Sequence, residues 1–203
     1  MSGLVEHSCR CGATRLKIAV PAPTAGTRVV CYCKDCQTAA LLHDGASDVL
    51  SRAGGSDIWQ TTPDLIDITD GAENLKVIRL SPKGLMRWHA GCCGTPMLNT
   101  LSRVRLPFVG VVLRQSELAE ADAVFGAIEC HASTGSARPE AGAPEQDIGF
   151  NRAGAMVLKR LALAMLGRRS KNNPLLQPDG TLIAPVVVIS REERAAALPE
   201  HLR

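Results

Sequence analysis

Seven of the eight cysteines in this chain of 203 residues fall into three tight clusters that lie far apart in the sequence. They are Cys9 and Cys11, then Cys31, Cys33 and Cys36, and finally Cys92 and Cys93. In a reducing compartment, clustered cysteines bind metal more often than they form disulfides. The spacing therefore predicts that one or two zinc ions hold the three segments together, and any chemistry is expected there.

The number of sulfurs suits two zinc sites of different kinds. Residues two apart in a strand point to the same side, so each Cys-x-Cys places two sulfurs together. Zinc takes four ligands in a closed structural site, or three and an exchangeable position in a catalytic one. Seven sulfurs fit one site of each kind, although this arithmetic assigns no ligand. The alternative for Cys9 and Cys11 is a pair of small buried thiols. Cys130 stands alone, and we interpret it as a buried, inert thiol.

The segments that carry the clusters have the pattern of short β-strands. Apolar and polar residues alternate from residue 16 to 20, which is typical of a half-buried strand. A second strand is predicted at 27–33, with a short helix after it at 35–42. Further strands, separated by glycine and proline, are predicted at 57–60, 65–68, 75–80, 108–113 and 123–128, and residues 85–90 lead into a bend at 91–96. Strands this short and this closely spaced predict a mainly β domain over residues 1–131.

The last third of the chain has a different composition. Residues 132–147 are rich in Ser, Gly, Ala, Pro and Glu, which predicts a flexible linker. In the C-terminal extension, 148–203, apolar spacing predicts an amphipathic helix at about 148–167. Its other face is basic, with Arg152, Lys159 and Arg160, followed by Arg168, Arg169 and Lys171. We interpret it as a helix packed on the β domain; the alternative is a helix for a membrane surface or a partner. A strand at 185–189 and a capping box that begins at Ser190 complete the extension.

Composition excludes some classes of partner. The net charge of +3, from 23 basic and 20 acidic residues, is too small to predict nucleic acid as the main partner. The first residues have neither the basic start nor the apolar run of a signal peptide. The longest apolar segment, 153–166, is interrupted by two basic residues and is shorter than the ~20 residues of a transmembrane helix. We therefore expect a cytoplasmic protein with no transmembrane segment.

Three motifs occur in order along the chain: Cys9-x-Cys11-Gly12, Cys31-x-Cys33-x-x-Cys36-Gln37 and Cys93-Gly94-Thr95-Pro96. Over about residues 7–115 they resemble the glutathione-dependent formaldehyde-activating enzyme and centromere protein V family. The resemblance implies a tent-like arrangement of small β-sheets around zinc, here with a C-terminal helical extension. It also implies a structural zinc held by the first and last motifs and an exchangeable zinc held by the central one. Carried over by position, the ligands are Cys9, Cys11 and Cys93 for the first ion, and Cys31, Cys33 and Cys36 for the second.

The last motif departs from the family pattern, which is Cys-x-x-Cys-Gly. The position three before Cys93 is Ala90, and a cysteine stands at 92 instead. A bend at residues 91–94 can turn both sulfurs inward, so we take Cys92 as the fourth ligand of the structural ion. The alternatives are that Cys92 completes the second site, or that His89 supplies the missing ligand.

An ion with three thiolates and one open position suits the capture of a substrate thiol as its thiolate. The resemblance implies a carbon–sulfur lyase that acts on adducts of glutathione and formaldehyde, with glutathione as the small thiol substrate. Arg87 is our candidate for binding a substrate carboxylate, with Arg103 and Arg105 as further candidates. His43 and His89 are candidates for proton transfer. The alternative function is a non-catalytic, zinc-stabilised binding module whose partner contacts the basic helix.

Overall fold

Short strands make up most of the protein in a computed structural model, which describes residues 3–43, 46–103, 105–138, 141–167 and 171–203. The prediction of a mainly β protein with a C-terminal helix is confirmed. Strands β1 to β11 of the described residues are Gly3–Ser8, Arg15–Val20, Thr27–Cys31, Ser56–Thr61, Ile66–Asp70, Leu75–Arg79, Met86–Ala90, Pro96–Thr100, Val109–Val112, Cys130–Ala132 and Val186–Val188. Helices α1 to α5 are Lys34–Leu41, Ala46–Val49, Leu118–Phe125, Phe150–Leu166 and Arg191–Ala196.

The described strands form two sheets with a core between them. One sheet has three strands in the order β1-β2-β5, and the other has eight in the order β10-β3-β4-β9-β8-β7-β6-β11. The alternation seen in the sequence of β2 buries Leu16, Ile18 and Val20 on one side. These side chains share a core with Trp59 and Trp88 of the larger sheet, both of which are fully buried. The main core therefore lies between β2 and one face of the larger sheet.

The opposite face of the larger sheet carries a row of cross-strand neighbours. Arg87 on β7 pairs with Asn99 on β8, Asn99 with Gly110 on β9, and Gly110 with Gln60 on β4. Successive residues of a strand point to opposite faces. Gln60 and Arg87 are the sequence neighbours of Trp59 and Trp88. The row therefore points to the face opposite the two core tryptophans. The candidate site lies on this second face.

Helix α4 covers part of the second face. Its Ala153 is buried against Val29 of β3 and Cys130 of β10. Arg160 donates hydrogen bonds to the carbonyl oxygen of Gln60, at 3.2 Å, and to the hydroxyl of Thr27. The helix lies within the range predicted for it, and it packs on the β-sheet. Arg168 and Arg169 of the predicted basic face lie outside the described residues. In the described part of the chain, no helix has the combined length and apolarity needed to cross a bilayer.

The strand predicted at 123–128 is wrong, because α3 extends to Phe125. Ala121 and Phe125, four residues apart, are the buried residues of this helix. Their spacing places them on one helical face, where they reach the main core. Gly126 follows with φ +85°, a conformation that glycine adopts without the strain a side chain brings. The apolar run was thus the end of a helix rather than a strand.

The C-terminal third contributes to the same sheet and core. β10 pairs in parallel with β3, and β11 pairs in parallel with β6 at the other edge. Leu175 and Ala184 are buried in the main core. Within the predicted linker, the backbone N–H of Thr134 donates to Asp147 Oδ1 at 2.8 Å. The capping box begins α5 at the predicted Ser190, whose hydroxyl accepts a hydrogen bond from the next turn.

Candidate metal centres

Two hairpin turns that are distant in the sequence bring four cysteines together. Cys9 and Cys11 follow β1, and Cys92 and Cys93 follow β7. All four sulfurs lie within 4.8 Å of one another. The Sγ–Sγ separation is 3.3 Å for Cys11 and Cys92, 3.5 Å for Cys9 and Cys11, and 3.7 Å for Cys9 and Cys92. Cys92 thus lies beside Cys9 and Cys11, and not beside Cys31, Cys33 and Cys36. We call the four cysteines of the two turns the first cluster.

These separations fit a tetrahedral thiolate site. A Zn–S bond of ~2.3 Å places the sulfurs of a regular tetrahedron ~3.8 Å apart. Four of the six separations run from 3.3 Å to the 3.9 Å between Cys92 and Cys93, close to that value, and all six are within 4.8 Å. Cys9 is buried and Cys93 half-buried, while Cys11 and Cys92 are exposed. The donor set and its spacing suit a closed metal site near the surface.

Hydrogen bonds hold the two turns against each other. The backbone N–H of Arg10 donates to Thr95 Oγ1 at 3.0 Å, and its guanidinium donates to the carbonyl of Cys93 at 2.9 Å. Gly94, at φ +75°, allows the second turn to approach the chain at His43. A Cβ at this glycine would lie 2.0 Å from the His43 carbonyl oxygen, so only glycine fits. The cysteines are thus positioned by backbone geometry as well as by any ion.

The pKa values within this cluster differ from one thiol to the next. Burial raises the pKa of Cys93, but hydrogen bonds from Thr95 and from the backbone of Cys11 lower it to about 6. The pKa of Cys92 is raised to about 12 by burial and by the neighbouring Cys11 and Cys9 thiols. Metals bind the thiolate form, so loading this site releases protons from the thiols that still carry them.

The second cluster forms where a strand turns into a helix. Cys31 is the last residue of β3, Cys33 caps α1, and Cys36 lies in the first helical turn. Their sulfurs lie within 4.8 Å of one another. The backbone N–H of Cys36 donates to the Cys33 sulfur at 3.4 Å. The sulfurs meet because the chain turns at Cys33, and not because three residues share one strand face. The partial positive charge of a helix N-terminus favours thiolates at this place.

Arg87 lies against the second cluster from the sheet side. Its Nη1 donates to Cys36 Sγ at 3.4 Å and to Asn99 Oδ1 at 3.0 Å, and the residue is only 8% exposed. Hydrogen bonds from Cys31 and Cys33, together with the charge of Arg87, hold the pKa of Cys36 well below its usual range. The guanidinium is therefore a counter-charge to the cluster. Its binding of a substrate carboxylate stays a prediction.

The second cluster faces a cavity of about 460 Å³. All three of its cysteines line this cavity, together with Arg87 and Asn99 of the sheet and one face of α4. The volume falls within the range of small-molecule sites, roughly 300–1,000 Å³. The four cysteines of the first cluster are not among the described residues that line it. The two clusters thus differ in both sulfur count and access.

Comparison with known proteins places the chain in a family. The model of DUF6151, a family of unknown function, matches residues 1–186. The chain belongs to the DUF6151 family. No curated protein matches the chain. A solved structure similar to it is the crystal structure of a Rhodobacter sphaeroides protein, a structural genomics target, with 16% sequence identity and a TM-score of 0.41. The similarity covers 64% of this chain and 100% of that protein.

In this DUF6151 chain, several residues predicted to act at the site lie outside the cavity. His43 and His89 stack on each other with ring centroids 4.0 Å apart, and His89 belongs to neither cysteine cluster. Arg103 and Arg105 are exposed, and neither is among the described residues that line the cavity. Cys130 lines the cavity but is buried and stands outside both cysteine clusters.

Sequence reasoning missed two parts of the DUF6151 cavity. Asn99, which accepts the hydrogen bond from Arg87, carries no motif that would have marked it. The apolar wall formed by Phe150, Val157 and Leu158 of α4 was visible as a helical pattern. That pattern did not show whether the face packs on the sheet or borders a pocket.

The histidine pair predicts a pH-dependent stability. Burial, together with the charges of His43 and Lys76, lowers the pKa of His89 to about 4, whereas an unperturbed histidine has a pKa of ~6.5. The neutral ring is therefore favoured in the folded state. Its contribution to stability is complete above pH ~6.5 and is lost as the pH falls from there towards the folded-state pKa.

Between pH 7 and pH 5 we expect the wild type to lose about 2 kcal/mol more unfolding free energy than His89→Gln, which cannot titrate at this position. Urea unfolding at the two pH values measures this difference. His201→Gln, which removes a half-buried histidine elsewhere, should behave as the wild type. Equal losses in the wild type and His89→Gln would show that the buried ring does not resist protonation.

Proposed function

We propose that this protein is a zinc-dependent carbon–sulfur lyase that cleaves or forms thiol adducts in the cytoplasm. The structural zinc is held by Cys9, Cys11, Cys92 and Cys93, and an exchangeable zinc by Cys31, Cys33 and Cys36. One observation carries the proposal: the three-sulfur cluster lines the cavity of about 460 Å³, whereas the four-sulfur cluster is not among the described residues that line it. Four protein ligands are typical of structural zinc, and three with an open position are typical of catalytic zinc.

The resemblance of the cysteine motifs to formaldehyde-activating enzymes supports the same reaction class, with glutathione as the thiol it implies. The tent-like arrangement of sheets around zinc belongs to this proposal as well. What supports it is the position of the four-cysteine cluster, which lies between the β1–β2 turn of the smaller sheet and the β7–β8 turn of the larger sheet. The metal would thus connect the smaller sheet to the larger one.

The reaction needs no oxidant or reductant, because the carbon–sulfur bond breaks heterolytically. In the cleavage direction, the carbon–sulfur bond of an S-(1-hydroxyalkyl) adduct breaks and its electron pair stays on sulfur. The hydroxyl proton leaves to water as the carbonyl forms. Zinc, when bound, supplies a Lewis acid that favours the thiolate at neutral pH. Arg87 adds a buried positive charge beside Cys36, and apolar residues of α4 line the same cavity as the sulfurs.

One observation favours the second candidate function, a non-catalytic zinc-stabilised binding module. Among the described residues that line the cavity, none is Asp, Glu or His. These are the side chains that most often transfer protons in enzymes. A module would retain the metals and bind a thiol compound or a partner without turning it over.

Exchange NMR separates the two candidates. With ¹³C-formaldehyde and 2-mercaptoethanol, we expect the zinc-loaded protein to speed exchange between formaldehyde hydrate and the hydroxymethyl adduct at least tenfold over buffer. Cys33→Ala should return the rate to that of buffer, because it removes a ligand of the exchangeable ion. Cys130→Ala, which changes a cavity cysteine outside the cluster, is the matched control and should keep the rate. A wild-type rate equal to buffer, with two zinc ions bound, would favour the binding module.

A further inference from the structure

Much of the floor of the cavity is apolar, although Gln60 and Asn99 of the same sheet face also line it. Val29 and Ile58 are cross-strand partners on this face and both line the cavity. Gly110, in the neighbouring row, also lines it, and a Cβ there would lie 2.8 Å from a methyl group of Ile58. Ile58 therefore lies against Gly110, so an apolar side chain covers the sheet at this position. Phe108 continues the apolar lining towards one end.

The wall facing this floor is apolar as well. Phe150, Val157 and Leu158 of α4 line the cavity, and Gly154 lies between them on the same helical face. Phe150 is 61% and Leu158 69% exposed, so these side chains border the opening to solvent. A Cβ at Gly154 would meet no atom within 4 Å, which leaves this part of the wall recessed. A molecule bound beside the cysteines in this cavity therefore has the apolar helix face among its neighbours.

The charges of the cavity do not match those of glutathione. Apart from the cysteines, Arg87 is the one charged side chain among the described residues that line it. Its Nη1 already donates to Cys36 and Asn99. At neutral pH glutathione carries two carboxylates and an ammonium group, and burying such groups without partners is costly. An aliphatic or aromatic chain, in contrast, gains from contact with the apolar residues that make up most of the described lining, in which Gln60, Asn99 and Ser133 are the uncharged polar residues apart from the cysteines.

We propose that the cavity binds the hydrocarbon substituent of an apolar thiol, or of its carbonyl adduct, with the sulfur at Cys31, Cys33 and Cys36. This inference rests on the proposed function for the placement of the sulfur, and it replaces glutathione by aliphatic or aromatic thiols as the substrate class. The apolar floor and the α4 wall select the substituent. The three-cysteine cluster selects the sulfur.

Calorimetric titration of the zinc-loaded full chain tests this inference. The probes are 1-butanethiol, 1-hexanethiol, 1-hexanol and glutathione. Because each buried methylene raises affinity about fourfold, we expect hexanethiol, which is longer by two methylenes, to bind about 16-fold more tightly than butanethiol. Glutathione should bind at least tenfold more weakly than hexanethiol.

A variant pair locates the binding site. Gly154→Leu places a side chain in the recess and should weaken hexanethiol and hexanol at least tenfold. Leucine favours a helix interior more than glycine does, so we expect no loss of folding stability in this variant. Ala155→Leu adds the same side chain at the next, exposed position of α4 and should leave both affinities unchanged.

The outcomes separate this inference from the function on which it rests. Equal affinities of hexanol and hexanethiol, both lost in Gly154→Leu, would support the apolar cavity and overturn thiol recognition at the metal. Glutathione binding as tightly as hexanethiol would overturn the apolar substrate class. An unchanged affinity of Gly154→Leu for hexanethiol would also overturn it, because the hydrocarbon part of the thiol would then bind outside this cavity.

Discussion

Replacing Cys11 with alanine is expected to unfold most of the protein, because this residue belongs to a cluster that joins two distant turns. Cys9 and Cys11 precede β2, whereas Cys92 and Cys93 lie about eighty residues further along the chain. Structural zinc contributes ~10–16 kcal/mol to small zinc domains, and whole domains are stable by only ~5–15 kcal/mol. We expect a loss of at least about 5 kcal/mol and the release of both metal ions, measured by urea unfolding and elemental analysis.

Cys33→Ala is the matched variant, because it removes a sulfur from the second cluster instead of the first. Cys31, Cys33 and Cys36 lie within six positions, so an ion there restrains only a short segment at the start of α1. This variant should lose one metal ion per chain and stay folded, with a loss of about 1–2 kcal/mol from the helix cap that Cys33 provides. If both variants lose all metal and unfold alike, the division into structural and exchangeable sites is wrong.

Local pattern predicted most of the strands of this fold, because period-two alternation reports directly which side of a strand is buried. β2 illustrates this, with its alternate residues Leu16, Ile18 and Val20 in the core. The same reasoning failed at residues 123–128, where an apolar run too short to show its period belonged to a helix. Pattern also could not show that the segment at 186–188 pairs with β6, since a parallel partner more than a hundred residues away leaves no local signal.

The candidate site was accessible from the sequence only in part. The type and spacing of the cysteines carry chemical information at any distance, so the sequence predicted that they converge. The cavity has no such signature, because it depends on cross-strand register. Arg87 reaches Cys36 and Asn99 since β7 and β8 pair in one particular register, and a shift by one residue would turn both to the main core. The contribution of α4 depends on tertiary packing in the same way.

Arg28→Met should be the most destabilising change away from the cysteines, with an expected loss of about 3–5 kcal/mol. Arg28 of β3 donates to Asp57 of β4 at 2.7 Å, and both side chains are at least 95% buried. The guanidinium also bonds Asp122 of α3 and the carbonyl of Gly126. Burial already raises the pKa of Asp57, and Arg28 is the partner that counters this. Removing the arginine leaves a carboxyl group in the interior without its main partner.

Two further variants show whether the loss comes from the stranded carboxyl group. The double variant Arg28→Met, Asp57→Leu removes both charges and should recover at least half of the lost unfolding free energy in urea, because apolar replacements of a buried pair are often well tolerated. Arg194→Met breaks the half-exposed pair with Asp35, which joins α5 to α1, and should cost less than about 1 kcal/mol. A double variant no more stable than Arg28→Met would mean that the arginine acts mainly through α3. Its contacts with Asp122 and Gly126, rather than the β3–β4 ion pair, would then hold the strand that ends at Cys31.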